Sequence, residues 1–514
     1  MAAPETQPPR AEVKAAVELY LALHRAPELS GAEHATAALL AERLTALGLT
    51  VHRGLAGAPS FLAELRNGPG PTVLIRTELD ALPVTEATGL PYASAVPGAM
   101  HACGHDLHAA AALGAAARLT ATRAGWRGRL LVLGQSAEET LTGARALADD
   151  GLYDRFGRPD AILAQHAAPL PAGTVAHATG GPLMAGSRTL DAVLHGRGGH
   201  AATPHLAADP LLMAASAVLR LHTLTARETA PAEGAVLTVG TLHAGTRANV
   251  IPDRATLSLS LRAFTEPALD RLHEAVRRVL DAESEAAAAP RPPELTLTAR
   301  SPVLAPDPAL TAALRTVHAE HLGPGRVLAA APSPATEDLG HLATLPDGTR
   351  VPLAYWMLGT TPAATWRAAA AEGRTVPANH APDFAPDLRQ ALPTGITALT
   401  AAARHLFAAA RRSWERSRTA RRPPHDPPAP RPPRTRPGRH PPPRRPGRPT
   451  RPDHRHPPAR AVAARLVLPA GRGHRPAPPA GPPRTRRAGA ALARALADPA
   501  LIGWGMAGQG ASVR

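Results

Sequence analysis

Three short apolar runs set the frame for this chain: Thr72 to Arg76 (TVLIR), Arg129 to Leu133 (RLLVL) and Ala161 to Ala164 (AILA). Each is long enough for one strand, and helical-looking segments at 105–120 and 140–150 separate them. Strands that alternate with helices predict an α/β domain with a mostly parallel central sheet. Ahead of them, 31–47 reads as a helix, with Leu39, Leu40, Leu44 and Leu47 at helical spacing and Gly48 where a C-terminal cap belongs. With 3% aromatics the interior has to be built from Ala, Leu and Val.

A second rhythm starts near Thr189. TLDAVLH reads as a strand, 207–224 as a helix, GAVLTVGTLHAG and RATLSLSLRAF as two strands, 266–287 as a helix and ELTLT as a last strand. In the second of the paired strands Leu257, Leu259 and Leu261 alternate with Ser258, Ser260 and Arg262, the pattern of a half-buried sheet. The order β-α-β-β-α-β is that of a ferredoxin-like α+β sandwich. The expected organisation is a catalytic domain in two parts, 1–186 and 299–410, an inserted domain at 187–298, and a tail at 411–514.

The net charge of +16 belongs to that tail, which holds 24 arginines against 4 acids; the first 410 residues carry 33 basic and 37 acidic side chains. The tail also has 23 of the 58 prolines, and such a composition predicts disorder. A basic arm could bind nucleic acid through phosphates. The plainer reading is filler, or a GC-rich gene read past its stop or out of frame, and nucleic acid is not the expected partner. One cysteine, Cys103, excludes an intrachain disulfide framework and fits a reducing compartment. The first residues lack a signal-like apolar stretch, and no run reaches the ~18 residues of a membrane span. The expected location is the cytoplasm, away from membranes.

Chemistry-bearing residues cluster at His101 to His108 (HACGHDLH), where Cys103 and His105 stand two apart. In an extended segment such residues share a side, and a thiolate with an imidazole suits a borderline-soft divalent ion. The alternative is a buried cysteine beside chance histidines. Glu138 and Glu139 follow RLLVL, and adjacent carboxylates in an extended segment face opposite ways, free for different tasks. The alternative there is a solvated acidic turn. His166 ends AILAQH and His380 sits in Asn379-His380-Ala381-Pro382; each alone could be structural. Asp80, the Glu138–Glu139 pair and His166 all follow predicted strands, and open α/β sheets carry their ligand crevice along that edge. In the inserted region His200 (GRGGHAATPH) and Asn249 (ANVIPD) could donate to an anionic oxygen, or simply serve their turns.

Read in order, LHRAPELSGAE, RTELDALPVTEATGLPYAS, MHACGHDLHAAAALG, QSAEE, QHAAPLPAGTV, GRGGHAATPH, ANVIPD, TEDL, YWMLG and NHAPDF resemble the clan MH metal-dependent amidohydrolases of the aminoacylase and carboxypeptidase type. Within them the chain is similar to the subgroup of hippurate hydrolases, N-acyl-amino acid amidohydrolases and auxin-conjugate hydrolases. The resemblance covers roughly residues 12–405. It implies hydrolysis of the amide bond of an N-acyl amino acid by a metal-activated water. Two divalent ions per subunit (Mn, Zn, Co or Ni) are implied, held by Cys103, His105, Glu139, His166 and His380, with Glu138 as general base. His200, Asn249 and Arg262 match lid residues that contact substrate, and Asp80 an acidic position behind the ligands. The inserted domain is the lid and the expected homodimer surface. The competing expectations are a dipeptidase or carboxypeptidase-like hydrolase on the same scaffold and a catalytically silent small-molecule binder. This chain departs from the usual pattern at Thr77-Glu78 (commonly Ala-Asp), at Ser136-Ala137 (where a Pro is common), at Thr140 (commonly Gly) and in the Leu-Ser-Leu before Arg262 (commonly Gly-Thr).

Overall fold

A computed structural model describes residues 8–345 and 347–420, without the side chains of 232 and 409–420. Its largest element is an eight-stranded sheet. The four central strands, Gly128–Gln135, Thr72–Glu78, Ala161–Pro171 and Leu353–Thr361, lie side by side and parallel. Thr50–Arg53 and Phe61–Asn67 extend one edge antiparallel, and Val175–Ala178 with Val327–Ala330 complete the other. The apolar runs are therefore central strands, covered on both sides. Val73, Ile75, Leu130, Val132 and Leu163 face one core; Leu74, Leu131, Leu133, Ile162 and Ala164 face the other. This period-two division is why both residue sets had to be apolar.

The first core lies under the helices Arg10–Arg25, His34–Ala46, His105–Ala121, Pro308–Leu322 and Leu388–Ala420. Alanine lets them approach closely: His105–Ala121 buries Ala109 to Ala112, Ala115 and Ala116. At Gly114 a Cβ would stand 2.6 Å from Ile396 Cγ1, so an alanine there would force Ile396 to shift. Gly143–Asp149, Leu152–Phe156 and Gly340–Ala343 cover the opposite face.

A separate four-stranded antiparallel sheet is built from Gly186–His195, Val236–Ala244, Arg254–Ala263 and Glu294–Ser301. Read across the sheet, its strands are the fourth, first, third and second in chain order, and the helices Pro210–Arg227 and Glu266–Ala286 complete a core of their own. Leu257, Leu259 and Leu261 are buried and Ser258, Ser260 and Arg262 half-buried, as the alternation requires. Asp209 and Thr265 cap the two helices by accepting backbone N–H bonds from Leu211 and Ala268.

Two expectations need revision. His166 does not follow its strand; it lies inside Ala161–Pro171. The strand continues because Gly359 and Thr361 still pair with it, although pairing with Thr72–Glu78 stops at Leu163. The last helix, Leu388–Ala420, runs past the boundary drawn at 410; the remainder of the tail, 421–514, lies outside the described residues. Among the described residues no helix is long and apolar enough to cross a membrane.

Candidate metal centre

The residues expected at the centre converge at the carboxyl edge of the parallel strands. Cys103 is not in an extended segment: it sits in a turn, and His105 is already the first residue of a helix. Gly104 makes the link, with φ +83° and Ala167 Cβ 2.8 Å from where its own Cβ would be. That close approach brings Cys103 Sγ within 3.5 Å of His166 Nε2.

Ring orientation is fixed from behind. Nδ1 of His105 faces the Asp80 carbonyl at 2.9 Å and Oδ1 at 3.1 Å, and Nδ1–H of His166 donates to the Ala167 carbonyl at 2.8 Å. Both Nε2 atoms are thereby turned into the centre. Asp80 Oδ2 also accepts from Ser30 Oγ at 2.7 Å and from the Glu139 N–H at 2.9 Å, so one carboxylate ties the His105 ring to the Glu138–Glu139 turn.

Glu138 and Glu139 do not diverge. Ala137 has φ +55° and its N–H is held by Glu33 Oε1 at 2.7 Å, which turns the chain so that both carboxylates enter one cluster. Glu138 Oε2 lies 3.9 Å and Glu139 Oε1 3.8 Å from His105 Nε2, and Glu139 Oε2 lies 3.5 Å from His380 Nε2. His380, with φ +70°, is placed by its N–H donating to the Ala102 carbonyl at 2.8 Å.

The donors form two overlapping sets, Cys103–His105–His166 and Cys103–Glu139–His380, each with ligand atoms within 4.8 Å of one another. Within them His105 Nε2 and Glu139 Oε1 are buried with no hydrogen-bond partner. Unpaired buried polar atoms cost about 1–3 kcal/mol each, and two in one cluster of S, N and O donors fit a divalent cation.

The electrostatics differ from donor to donor. Burial, the charges of His108 and other neighbours hold the His166 ring neutral, with its pKa pushed down to about 3, as a ligand requires. Burial also disfavours charge on His105, but the bond to Asp80 and the charges of Asp80, Glu78 and Glu139 outweigh it and lift its pKa to about 10, so this ring holds a proton among the carboxylates that a cation would have to displace. Burial and the carboxylates of Glu139 and Glu138 push the Cys103 thiol up, so its thiolate needs a cation beside it. Glu138 is raised well above the usual carboxylate range by burial and by Glu337, Glu139 and Asp338, against Arg76.

The acids behind Glu138 were missed in the sequence. Glu138, Glu337 and Asp338 place carboxylate oxygens within 4.8 Å of one another, and the cation serving this group is Arg76. Its guanidinium donates to Glu337 at 2.7 and 3.1 Å, to Asp338 at 3.2 Å, to Gln135 at 2.9 Å and to Glu78. Glu78 also meets His108 Nδ1 at 2.9 Å, and His108 Nε2 accepts the Ala167 N–H at 2.7 Å. A charged residue inside TVLIR and the acid pair in TEDL were the available signals. Ser136, in the pair where a proline is common, donates its N–H to Ser60 Oγ at 3.0 Å, a bond proline cannot make.

Three expected residues stand apart. His200 and Asn249 share an open groove of about 780 Å³ on the second sheet with His243 and Arg254, and none of the donors above lines it. Arg262 is elsewhere again, with Nη1 donating to the Pro334 carbonyl at 2.7 Å beside the Glu337 loop.

Residues 74–404 match the Peptidase family M20/M25/M40. The chain belongs to this family. It is a metal-dependent amidohydrolase of that family. It is 35% identical over 320 residues to the N-acetyl-L-cysteine deacetylase of Bacillus subtilis, covering 62% of this chain and 75% of that protein. It is 37% identical over 264 residues to the N-acetyldiaminopimelate deacetylase of Leuconostoc mesenteroides, covering 50% and 68%. Among solved structures the Bacillus subtilis YXEP protein, a dinuclear metal-binding peptidase of the M20 family, superposes with a TM-score of 0.63 at 28% identity, over 78% of this chain and 99% of that one.

Proposed function

We propose that the chain hydrolyses the amide bond of N-acyl amino acids at a two-metal centre held by Cys103, His105, Glu139, His166 and His380, with Glu138 as general base. The observation that carries this is the pair of buried atoms without a hydrogen bond, His105 Nε2 and Glu139 Oε1, which lie 3.8 Å apart beside Glu138 inside a Cys/His/Glu donor set. The deacetylase relatives support the substrate class. When bound, the divalent ions would supply Lewis acidity to the amide carbonyl and ease loss of a proton from water. Glu138 takes that proton on its carboxylate and delivers it to the leaving amine nitrogen. Its crowding by Glu337, Glu139 and Asp338 favours holding the proton between the two transfers. The product pair is the free acid and the free amino acid.

Residues 187–298 serve as a lid on the catalytic unit formed by 1–186 and 299–410. His200 and Asn249 meet the substrate when the lid approaches. Arg262 is a half-buried cation that no carboxylate pairs with among the described residues, which suits it to the substrate carboxylate. Leu206, Leu212 and Leu219 are more than 60% exposed on the lid, and Val236–Ala244 forms an edge of its sheet, which suits a homodimer through this face. A single cysteine used as a ligand suits the cytoplasm.

The test is release of free amino acid by the Mn²⁺- or Zn²⁺-loaded chain from N-acetyl, N-benzoyl and longer N-acyl amino acids, with unblocked dipeptides in parallel. The reading expects metal-dependent release from the acylated substrates. Cleavage of dipeptides alone would replace it with a peptidase, and binding of metal without any turnover with a silent binder.

A further inference from the structure

Asn379 carries no role in the account above, yet its side chain touches two of the segments that bear ligands. Its Nδ2 lies 3.0 Å from the Ala167 carbonyl, 3.3 Å from the Cys103 carbonyl and 3.7 Å from Cys103 Sγ. The Ala167 carbonyl is the same one that orients His166 through Nδ1, and the next residue in the chain is His380. Resting on the metal-centre reading, we propose that Asn379 is a positioning residue whose amide N–H holds the Cys103 sulfur, as thiolate, in place between the two donor sets.

Three acceptors surround one amide. With the amide reversed, Oδ1 would face two carbonyl oxygens and a sulfur, all electron-rich, so the NH₂ end is fixed in this direction. One N–H is taken by Ala167, and the other is shared between the Cys103 carbonyl and sulfur. The opposite end gives up its own bonding: Oδ1 is buried and has no partner. Such an arrangement is costly unless the donor end does something a smaller or apolar residue could not. Cys103 is the donor common to both overlapping sets, so the position and electron density of its sulfur bear on both. An N–H directed at a thiolate lowers the energy of the sulfur lone pairs without neutralising them, and it fixes the direction in which the remaining pairs point.

Cobalt is the probe, because a Co²⁺–thiolate bond gives a near-ultraviolet charge-transfer band whose energy follows the sulfur lone pairs. The full-length chain, Asn379→Ala, Asn379→Asp and Cys103→Ser are titrated with Co²⁺ and followed by absorption, with circular dichroism melts as the folding control. The proposal expects a band in the parent chain that Cys103→Ser loses. In Asn379→Ala that band moves to longer wavelength and Co²⁺ affinity falls by roughly tenfold or more. Asn379→Asp keeps the size of the side chain but replaces the donor with an anion; it gives the same red shift and serves if the alanine variant fails to fold. Bands that stay in place with affinity within about twofold of the parent would overturn the proposal and reduce Asn379 to a backbone tie. A parent chain with no sulfur band would instead overturn Cys103 as a ligand, which is a failure of the metal-centre reading itself.

Discussion

Replacing Arg76 with methionine removes the guanidinium that faces Glu78, Glu337 and Asp338 behind Glu138. All of these side chains are buried, and Arg76 makes two bonds to Glu337 and one each to Asp338, Gln135 and Glu78. Removing one partner of a buried ion pair costs about 3–5 kcal/mol, because the other charge stays behind without compensation. Here several carboxylates stay behind, so Arg76→Met belongs at the upper end. Glu337→Gln is the informative contrast. It takes one negative charge from a cluster with more carboxylates than cations, leaves Glu78, whose ionised form Arg76 and His108 favour, to balance Arg76, and keeps an amide oxygen able to accept. Its cost is about 1–2 kcal/mol, the scale of one weakened hydrogen bond. Tyr355, whose hydroxyl donates to Glu337 at 2.8 Å, remains able to donate to that amide. The assay is urea unfolding of chelator-treated protein, followed by fluorescence of the buried Trp356. In the double variant the two costs should not add, since Glu337→Gln relieves part of what Arg76→Met creates. The reasoning is refuted if Glu337→Gln costs as much as Arg76→Met, or if the two add.

Further outcomes follow from neighbouring groups. His24 meets Asp106 at 2.7 Å and Glu86 at 3.3 Å. Burial opposes its charge, but these acids raise its pKa to about 9, against ~6.5 in an unfolded chain. A raised folded pKa means that the imidazolium stabilises fully below about pH 6.5 and that this contribution fades as pH rises toward 9. The stability gap between the parent and His24→Gln should therefore shrink by about 3 kcal/mol across that window, read from urea midpoints; a gap that grows with pH contradicts the pairing. Gly104→Ala would force a side chain into a φ of +83° and against Ala167 Cβ. It should cost about 2 kcal/mol or more and weaken metal binding by calorimetry; a variant that melts and binds as the parent does would show that the loop can relax.

The parts legible in the sequence were those written in local pattern. TVLIR, RLLVL and AILA are central strands because two buried faces require Val73 to Ile75, Leu130 to Leu133 and Ala161 to Ala164 all to be apolar. The Leu257, Leu259, Leu261 alternation gave the second sheet for the complementary reason, one face wet and one dry. The residue types of the proposed ligands were visible, but their directions were not. Cys103 and His105 share a cluster through a left-handed glycine at a helix start, and Glu138 and Glu139 through a left-handed Ala137, neither of which an extended segment would supply. Arg76 with Glu337 and Asp338 lay hidden for another reason: the partners are 261 and 262 residues apart, and only the sheet brings them together. The departures at Glu78 and Ser136 likewise acquire meaning only through His108 and Ser60.

The most direct test of the central claim joins metal content to turnover in one pair of proteins. The parent chain and Glu138→Gln are loaded with Mn²⁺ or Zn²⁺, their bound metal is counted by plasma mass spectrometry, and hydrolysis of an N-acetyl amino acid is measured on the same samples. The account predicts two ions per chain in both proteins, with hydrolysis by the parent and a loss of at least about a hundredfold in Glu138→Gln. Retained hydrolysis in the variant, or a parent that turns over substrate with no bound metal, would contradict it.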